Sequence, residues 1–398
     1  MQAIILAAGE GTRMRPLSAS VPKPMLPVAE RPIVAHTVEA AAAAGADEIV
    51  LVVGYEADAV RRYFGSEYAG ASISYAVQME QSGTADAVRV AARHIDGAFA
   101  VLNGDNLYDQ ASVARLFEAG PGVGAFRVEN PSQYGVLTAE AGRVTGITEK
   151  PDDPPSDLVN TGAYVLPEKA RNWLDVPVSE RGEREITDVL ARVIAEFDVE
   201  YVELDRWMDV GRPWELLEAN EWWLGELSTA LAGDISPDAH VEGSVVVEEG
   251  ATVKPGVVIE GSALIRSGAT VGPNAYIRGT TLVDEGATIG HSVEVKNSLL
   301  FAGATVGHLS YVGDSILGRD VNFGAGTTVA NVRHDEEPVE HTVKGERVST
   351  GRRTFGAVVG DGAKTGINTS LGPGVTLSPG VTTGPGEDIV RDRTGDKG

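Results

Sequence analysis

A glycine-containing loop near the N-terminus is the first segment whose residues suit a chemical role. Gly9 and Gly11 follow the apolar run Ala3–Ala8. Glycine lets the backbone approach a polyphosphate closely, and successive N–H groups in such a loop bind anions. Arg13 adds a planar guanidinium that pairs with phosphate oxygens. The loop is neither Gly-x-Gly-x-x-Gly nor a Walker loop, because Met14 replaces the third glycine and no Gly-Lys-Ser/Thr follows.

Two further charged residues suit phosphate chemistry. Lys23 stands between prolines in Pro22-Lys23-Pro24, which hold it in an extended loop and present its ammonium group. Asp105 follows the apolar run Phe99–Leu102, and its carboxylate is a hard oxygen ligand of the kind Mg²⁺ prefers. Taken alone, an aspartate after a strand is more often a helix cap or a turn residue. The inference therefore depends on the ordered set of segments.

In that order the segments resemble the sugar-1-phosphate nucleotidylyltransferase family, which carries Gly-x-Gly-Thr-Arg, Pro-Lys-Pro and Asn-Gly-Asp. The resemblance implies binding of UTP or dTTP, a sugar 1-phosphate and Mg²⁺, with release of pyrophosphate. It assigns catalysis to Arg13 and Lys23 and the metal to Asp105 and Asp209. The implied nucleotide site comprises Leu6, Ala8, Gly9, Gly11, Thr12, Gln78, Gly83 and Thr84, and the implied sugar-phosphate site Gly135, Glu149 and Asn160.

A second group of candidates lies in the C-terminal half, around His308. Histidine titrates near neutral pH, so it can take a proton from an amine that attacks an acyl donor. The segments Val293–Asn297, Gly307–Asp314 and Val321–Thr327 resemble the acetyltransferase part of bifunctional GlmU-like enzymes. The resemblance implies acetyl-CoA as co-substrate and His308 as general base. It also implies substrate-binding residues at Arg278, Lys296, Tyr311, Asn322 and Asn331.

The first half alternates strand-like and helix-like segments. Pro32–Ala44 and Thr84–Arg93 predict helices, and Ile49–Val53 predicts a buried strand. Alternation of this kind predicts an α/β domain with a mostly parallel, Rossmann-like sheet, whose ligands bind beyond the carboxyl ends of the strands. We predict a nucleotidylyltransferase domain over residues 1–230, including a linking helix over residues 212–231.

From Ile235 the pattern changes, because β-branched apolar residues recur at every sixth position through Val295. This period predicts a parallel β-helix, and the resemblance implies a left-handed one that assembles as a homotrimer. The period slips by one residue before Leu300 and again before Leu317. A charged insertion over residues 333–353 follows, and its histidines, His334 and His341, are predicted to lie on the surface. We predict that residues 232–398 form this β-helix domain.

Composition limits the remaining classes. The net charge is −24 and lysine is scarcer than arginine, which favours a halophilic source and leaves no basic patch for nucleic acid. Cysteine is absent, so disulfides and thiolate sites are excluded. No apolar run is long enough to span a bilayer and no export signal is visible, so a cytoplasmic protein without a membrane partner is expected.

Three functions stay open at this stage. The preferred one is a bifunctional enzyme that acetylates glucosamine 1-phosphate, or a related amino sugar, and couples a sugar 1-phosphate to UTP or dTTP. The second is a monofunctional glucose-1-phosphate uridylyl- or thymidylyltransferase whose β-helix only trimerises. The third is a non-catalytic regulatory subunit. Uracil and thymine differ by one methyl group, and no motif decides between them.

Overall fold

A computed structural model describes residues 1–179 and 181–395. The chain separates into two compact units. The first comprises Met1–Glu10, Pro22–Met25 and Pro32–Asp209. The second comprises Gly11–Val21, Leu26–Arg31 and the chain from Val210 onward. The glycine loop is therefore shared, because its first part clusters with the first unit and Arg13 clusters with the second.

The strands of residues 1–209 are mostly short and apolar. They are β1 Gln2–Ala7, β2 Pro27–Val28, β3 Arg31–Pro32, β4 Glu48–Val53, β5 Glu67–Tyr68, β6 Ala71–Val77, β7 Phe99–Asn103, β8 Asn106–Tyr108, β9 Gly122–Arg127, β10 Gly135–Glu140, β11 Arg143–Glu149, β12 Leu158–Leu166, β13 Glu200–Glu203 and β14 Trp207–Asp209. The helices of the chain are α1 Ile33–Ala43, α2 Ala57–Phe64, α3 Thr84–Ala91, α4 Gln110–Glu118, α5 Ile186–Glu196 and α6 Pro213–Gly225.

The first unit is built on a ten-stranded sheet in the order β10-β11-β13-β9-β12-β7-β1-β4-β6-β5. Helices cover both faces because successive side chains of a strand point to opposite sides. In β1, Ile4 packs into one apolar cluster, whereas Ala3 and Ile5 pack into the other. The sheet is parallel from β7 through β6 and mixed beyond β7, where β12 runs antiparallel to both neighbours. The predicted parallel sheet is therefore found in strands β7, β1, β4 and β6.

The second unit contains a parallel β-helix with one hairpin inserted into it, and the strands from residue 230 onward are two to four residues long. They are β15 Ala230–Leu231, β16 Asp234–Ile235, β17 His240–Glu242, β18 Val245–Val247, β19 Thr252–Val253, β20 Val258–Glu260, β21 Ala263–Ile265, β22 Thr270–Val271, β23 Tyr276–Arg278, β24 Thr281–Val283, β25 Thr288–His291, β26 Glu294–Lys296, β27 Leu299–Leu300, β28 Thr305–His308, β29 Tyr311–Gly313, β30 Ile316–Leu317, β31 Asn322–Phe323, β32 Thr328–Val329, β33 Glu340–Val343, β34 Glu346–Ser349, β35 Val358–Val359, β36 Ser370–Leu371, β37 Thr376–Leu377 and β38 Asp388–Ile389.

All of these strands except β33 and β34 stack into three sheets. The first sheet runs from β15 to β37, the second from β16 to β31 and the third from β17 to β38. The six-residue apolar period places at least one buried apolar side chain on each strand of the coil from β18 onward, and these side chains form a single core inside the coil. This arrangement, consistent with a left-handed β-helix, confirms the hexapeptide prediction.

Register explains both irregularities of the sequence. Leu264 pairs with Leu282, but Leu282 pairs with Leu299, so this coil is one residue shorter and the apolar period slips where predicted. The charged insertion leaves the coil between β32 and β35 and forms the antiparallel hairpin β33–β34. Ile316 pairs directly with Val358 across it, so the stack continues undisturbed.

Two local predictions were wrong. Helix α6 ends at Gly225 rather than at residue 231, because Ala230 and Leu231 already pair with Val246 and Val247 in the first coil. His341 is fully buried, not on the surface, because strand β33 turns it inward, where its ring packs against Trp214 and Phe355. His334 is exposed, as predicted. No helix in the described part of the chain is long and apolar enough to cross a membrane.

Candidate active sites

A cavity of about 230 Å³ opens at the carboxyl ends of the parallel strands of the first unit. It brings together seven of the predicted residues, which are Leu6, Ala8, Gly9, Gln78, Gly83, Thr84 and Asp105. A Cβ atom at Gly9 would meet nothing within 4 Å, so packing does not require glycine there and the adjacent space is open to a ligand. Gly83 has φ +106°, and its Cβ would lie 2.4 Å from the Arg184 carbonyl oxygen, so only glycine fits.

The amide of Gln78 has a defined orientation. Its Nε2 donates to the Gly83 carbonyl oxygen at 3.1 Å and to Asp86 Oδ2 at 3.0 Å. Burial alone would raise the pKa of Asp86, but hydrogen bonds from Gln78 and Arg89 outweigh it and hold the pKa below its ordinary value. Because both partners can only accept, the amide cannot be turned over without losing two hydrogen bonds. Its oxygen is thus the atom left to accept from a ligand.

Lys23 lies between the two predicted metal carboxylates. Its Nζ is 2.7 Å from Asp105 Oδ2 and 3.9 Å from Asp209 Oδ1, and Lys23 is only 4 % exposed. The pairing of β14 with β8 sets Asp209 opposite Asn106, next to Asp105. The described residues contain no group of three or more His, Asp or Glu placed to hold a metal. Asp105 and Asp209 both lie within 4 Å of the Lys23 ammonium, so they form one negatively charged site. Such a pair fits Mg²⁺, which commonly takes one or two carboxylates together with substrate phosphates.

The predicted sugar-binding residues also converge. A Cβ at Gly135 would lie 2.9 Å from Glu149 Oε2 and 3.6 Å from Asn160 Nδ2. Asn160 is fixed at both ends, because its Oδ1 accepts from the Gly162 N–H at 2.9 Å and its Nδ2 donates to Tyr164 Oη at 2.6 Å. A carboxylate and an amide beside a glycine, where a side chain would crowd Glu149, suit sugar hydroxyls.

The remaining nucleotide candidates have other surroundings. Gly11 has φ +67° and starts a short 3-10 turn over Thr12–Met14. Thr12 and Arg13 line a second cavity, within the second unit. The Arg13 guanidinium lies beside Gly211, whose Cβ would be 3.2 Å from Arg13 Nη2.

In the β-helix, the third sheet aligns three of the acetyltransferase candidates. Arg278 of β23 pairs with Lys296 of β26. Lys296 in turn pairs with Gly313 of β29, the strand that begins with the third candidate, Tyr311. A Cβ at Gly313 would lie 2.5 Å from Tyr311 Oη and 2.7 Å from Asn331 Nδ2. Four of the six predicted residues are thus gathered on consecutive coils.

Asp314 is the centre of this cluster, and the sequence did not single it out. It is 1 % exposed and accepts hydrogen bonds from Lys296 Nζ at 2.8 Å, Asn297 Nδ2 at 3.0 Å and Asn331. Burial would raise the pKa of Asp314, but these hydrogen bonds hold it below its ordinary value. Asp314 therefore orients Lys296 and Asn331. Arg278 is paired separately, with Glu294 at 2.8 Å.

His308 and Asn322 lie on the second sheet. His308 is exposed at the end of β28 and is aligned with His291 of β25, and Asn322 lies on β31, which also pairs with β28. The single chain therefore presents the predicted base and the predicted phosphate-binding cations on different sheets.

Sequence reasoning missed several residues besides Asp314. Gln81, Asn103 and Glu183 also line the first cavity, and Gln81 Nε2 donates to the Ala8 carbonyl oxygen at 3.1 Å. Gln81 stands three residues after Gln78, a spacing that could have indicated it. Glu183 belongs to a loop without any motif, so nothing in the sequence pointed to it.

Comparisons with known proteins place these features in context. Residues 2–224 match the nucleotidyl transferase family, and residues 259–357 match the GMPPB C-terminal domain. The chain is 40% identical over 370 residues to the bifunctional protein GlmU of Methanocaldococcus jannaschii, covering 92% of this chain and 89% of that protein. It is 36% identical to a bifunctional sugar-1-phosphate nucleotidylyltransferase/acetyltransferase of Sulfurisphaera tokodaii, covering 92% of each chain. A solved UDP-glucose pyrophosphorylase in complex with UDP-glucose has a similar fold over 56% of this chain and 97% of its own, with TM-score 0.52 and 24% identity.

Proposed function

Because the chain belongs to the nucleotidyl transferase family, we propose that it transfers a nucleotidyl group from UTP or dTTP to a sugar 1-phosphate, and also acetylates an amino-sugar 1-phosphate. It is a bifunctional enzyme of the GlmU type, like the relatives that match 92% of its length. The observation that carries the first activity is the single cavity that holds Gly9, Gln78 and Asp105, beside Lys23.

In the first reaction, an oxygen of the sugar phosphate attacks the α-phosphorus of the nucleotide. The new P–O bond forms as the bond to the β-phosphate oxygen breaks, and pyrophosphate leaves with the electron pair. Both reactants are anions, so bringing them together and neutralising their charge does most of the work. Lys23 and Arg13 supply fixed positive charge. Asp105 and Asp209 would hold Mg²⁺, which neutralises phosphate charge when bound.

The orientation of Gln78 supports a class of base. Its Oε1 accepts a hydrogen bond, and the N3–H group of uracil or thymine can donate one, whereas N3 of cytosine is itself an acceptor. A site built to accept a hydrogen bond rejects the base that lacks the donor, because the amide oxygen would be left unpaired. We therefore favour UTP or dTTP over CTP. Glu149 and Asn160 receive the sugar hydroxyls.

In the second reaction, the amine of glucosamine 1-phosphate attacks the thioester carbonyl of acetyl-CoA. His308 takes a proton from the amine as the N–C bond forms. The C–S bond then breaks with its electron pair on sulfur, and the thiolate takes that proton from His308, so coenzyme A leaves as a thiol. Arg278 and Lys296 hold the sugar phosphate, and Tyr311, Asn322 and Asn331 orient the sugar. His308 ends β28, and two residues separate it from Tyr311, which begins β29. We propose that a neighbouring β-helix in a homotrimer completes the site.

The setting follows from the same residues. Residues 1–230 serve as the nucleotidylyltransferase domain and residues 232–398 as the acetyltransferase and trimerisation domain. We assign the enzyme to a salt-rich cytoplasm, without nucleic-acid or membrane partners, because acidic residues outnumber basic ones by enough to give a net charge of −24.

The decisive test measures both activities on one preparation in high salt. Acetyl-CoA and glucosamine 1-phosphate are mixed with the protein, and free thiol is followed with a thiol-reactive dye. The chain has no cysteine, so all signal comes from coenzyme A. We expect thiol release that requires the amino sugar and falls at least ~100-fold in His308→Ala. Pyrophosphate release from UTP or dTTP with a sugar 1-phosphate should be unchanged in that variant.

One observation favours a second candidate, the monofunctional nucleotidylyltransferase with a structural β-helix. Lys296 and Arg278 already form ion pairs with Asp314 and Glu294. If the protein forms pyrophosphate but releases no thiol, this second candidate is correct and the acetyltransferase proposal fails. If neither product forms with any sugar phosphate, the regulatory-subunit alternative replaces both.

A further inference from the structure

The carboxylate of Asp314 connects two of the predicted acetyltransferase residues to two residues outside that prediction. Lys296 Nζ, at 2.8 Å, and Asn331 Nδ2 donate to its Oδ2. Asn297 Nδ2 and Thr354 Oγ1 donate to its Oδ1, each at 3.0 Å. An ionised carboxylate offers about four acceptor positions, so these four donors fix its orientation. The position of Lys296 therefore depends on the groups that hold Oδ1.

Asn297 lies at a corner of the coil where the turn itself does not need a side chain. Gly243, Gly261 and Gly279 follow residues that pair with one another in β17, β20 and β23, so they stack at this corner. Their φ values are +96°, +114° and +66°. Asn297 continues the stack with φ +45°, a conformation that asparagine tolerates and glycine adopts without strain. The amide is therefore explained by its contacts rather than by the turn.

The amide of Asn297 joins Asp314 to helix α6. Besides its bond to Asp314, Asn297 Nδ2 donates to Glu221 Oε1 of α6 at 2.8 Å. Both carboxylate oxygens of Glu221 also accept from Arg352. Arg352 lies two residues before Thr354, so the contacts close into a ring. This hydrogen-bonded ring consists of Glu221, Asn297, Asp314, Thr354 and Arg352, and all five residues belong to the second unit.

The hydrogen-bonded ring is shielded from water. Asp314 is buried, and Glu221 and Arg352 are half-buried. The backbone fixes the same segment, because the Gly356 N–H donates to the Asp314 carbonyl oxygen at 2.8 Å. Hydrogen bonds to charged groups are stronger where water is excluded, so a ring of this kind resists rearrangement.

From this geometry we infer that the hydrogen-bonded ring positions Lys296 for the phosphate of the amino sugar. The inference rests on the proposed acetyltransferase function, in which Lys296 binds that phosphate. With the ring intact, one ammonium N–H of Lys296 stays on Asp314 and the others point to a ligand. Asn297 and Thr354 are thus positioning residues. The end of the charged insertion takes part in the site, because Arg352 closes the ring.

Asn297→Gly is the variant that opens the ring. Glycine turns the same corner in the three preceding coils, so the variant should fold as well as the wild type. Asn274→Gly is the matched control, because Asn274 is an exposed asparagine with φ +53° at another corner of the coil. Both changes have the same effect on the entropy of the unfolded chain. Thr354→Val is a second variant, which removes the other donor to Oδ1.

Steady-state thiol release, with each substrate varied in turn, measures the effect. We expect Asn297→Gly to raise the KM for glucosamine 1-phosphate about tenfold, as the loss of one hydrogen bond to a charged group predicts. The KM for acetyl-CoA should stay unchanged. Calorimetric titration with glucosamine 1-phosphate alone should show the same loss of affinity. A merely structural defect would lower kcat through loss of folded enzyme and would leave both KM values as they are.

Thr354→Val should raise the same KM, and Asn274→Gly should match the wild type. An unchanged KM in Asn297→Gly and Thr354→Val, or an equal rise in Asn274→Gly, would overturn the inference and leave the proposed acetyltransferase standing. If the wild type releases no thiol, the proposed function fails and the calorimetric titration alone decides the inference. A wild type that does not bind glucosamine 1-phosphate overturns it.

Discussion

At the residue scale, the orientation of Gln78 depends on Asp86, a residue that would not contact the nucleotide. The carboxylate accepts from the amide nitrogen and also from Arg89. In Asp86→Asn, the new amide can donate as well as accept, so Gln78 can turn over and present its nitrogen to the base.

We expect Asp86→Asn to reduce the preference for UTP over CTP, measured as the ratio of kcat/KM values, by about tenfold, the size of one hydrogen bond. Glu183→Gln is the matched control, since it likewise replaces a carboxylate by an amide, here in the cavity lining, at a residue with no hydrogen bond to Gln78 among those described. An unchanged ratio in Asp86→Asn, or an equal change in both variants, would contradict the role assigned to Asp86.

Lys23 gives a second prediction at this scale. Its ammonium lies between the carboxylates of Asp105 and Asp209. Lys23→Gln leaves Asp105 and Asp209 facing each other without a cation, so the variant should lose stability, and added Mg²⁺ should restore more of it than in the wild type. Thermal unfolding with and without Mg²⁺ measures this difference in Tm. Equal shifts in the two proteins would argue against a metal at these carboxylates, and Lys169→Gln, an exposed lysine, controls for charge alone.

At the element scale, the β-helix was the part most predictable from sequence. A six-residue period specifies which side chain faces the coil on every strand, so Val253, Val271 and Ile289 could be assigned to the core without a structure. The hairpin β33–β34 could not be foreseen, because its four-residue strands are charged and their burial depends on α6 and the coil. His341 was placed wrongly for that reason.

The same hairpin carries a pH prediction. Burial lowers the pKa of His341, although its Nδ1 donates to the Gly374 carbonyl oxygen at 3.1 Å. The folded state therefore keeps the ring neutral, whereas the unfolded chain takes up a proton near pH ~6.5. The stability that this provides is complete above the unfolded pKa and is lost as the pH falls below it toward the folded pKa.

We expect the free energy of unfolding of the wild type to fall more steeply between pH 7.5 and 5 than that of His341→Gln, which keeps a donor but does not titrate. Denaturant titrations at constant salt give this comparison. Parallel pH curves would show that His341 does not titrate on unfolding. His334→Gln should match the wild type, because His334 is exposed.

The nucleotide site was predictable to a different extent. Motif residues that follow strands, such as Gly9 and Asp105, converge because parallel strands end at one edge of the sheet. Asp86 and Asp314 act through other side chains, and such contacts follow from packing rather than from a motif. The surroundings of Arg13 also depend on long-range packing and could not be predicted, because the glycine loop is divided between two compact units.

At the scale of the whole molecule, the proposed homotrimer predicts acetyltransferase sites that are shared between neighbouring subunits, with His308 from one subunit and Lys296 from the next. We expect His308→Ala and Lys296→Gln each to lose acetyl transfer. If the two are unfolded and refolded together in equal amounts, about a quarter of the subunit interfaces then combine an intact histidine with an intact lysine, as random assembly of a cyclic oligomer requires. Acetyl transfer should recover to about that fraction, whereas each variant refolded alone stays inactive. No recovery would place the complete site within one chain.

The hairpin β33–β34 leaves the stack at a corner, and the coils on either side of it still pair with each other. In evolutionary terms, that corner is a neutral insertion point. A segment gained, lost or exchanged there in one genetic event leaves the strand pairing of the coils in register, because Ile316 still pairs with Val358 and Thr328 with Ser370. The exposed residues of the hairpin are therefore free to diverge between lineages while the register of the coil is inherited intact.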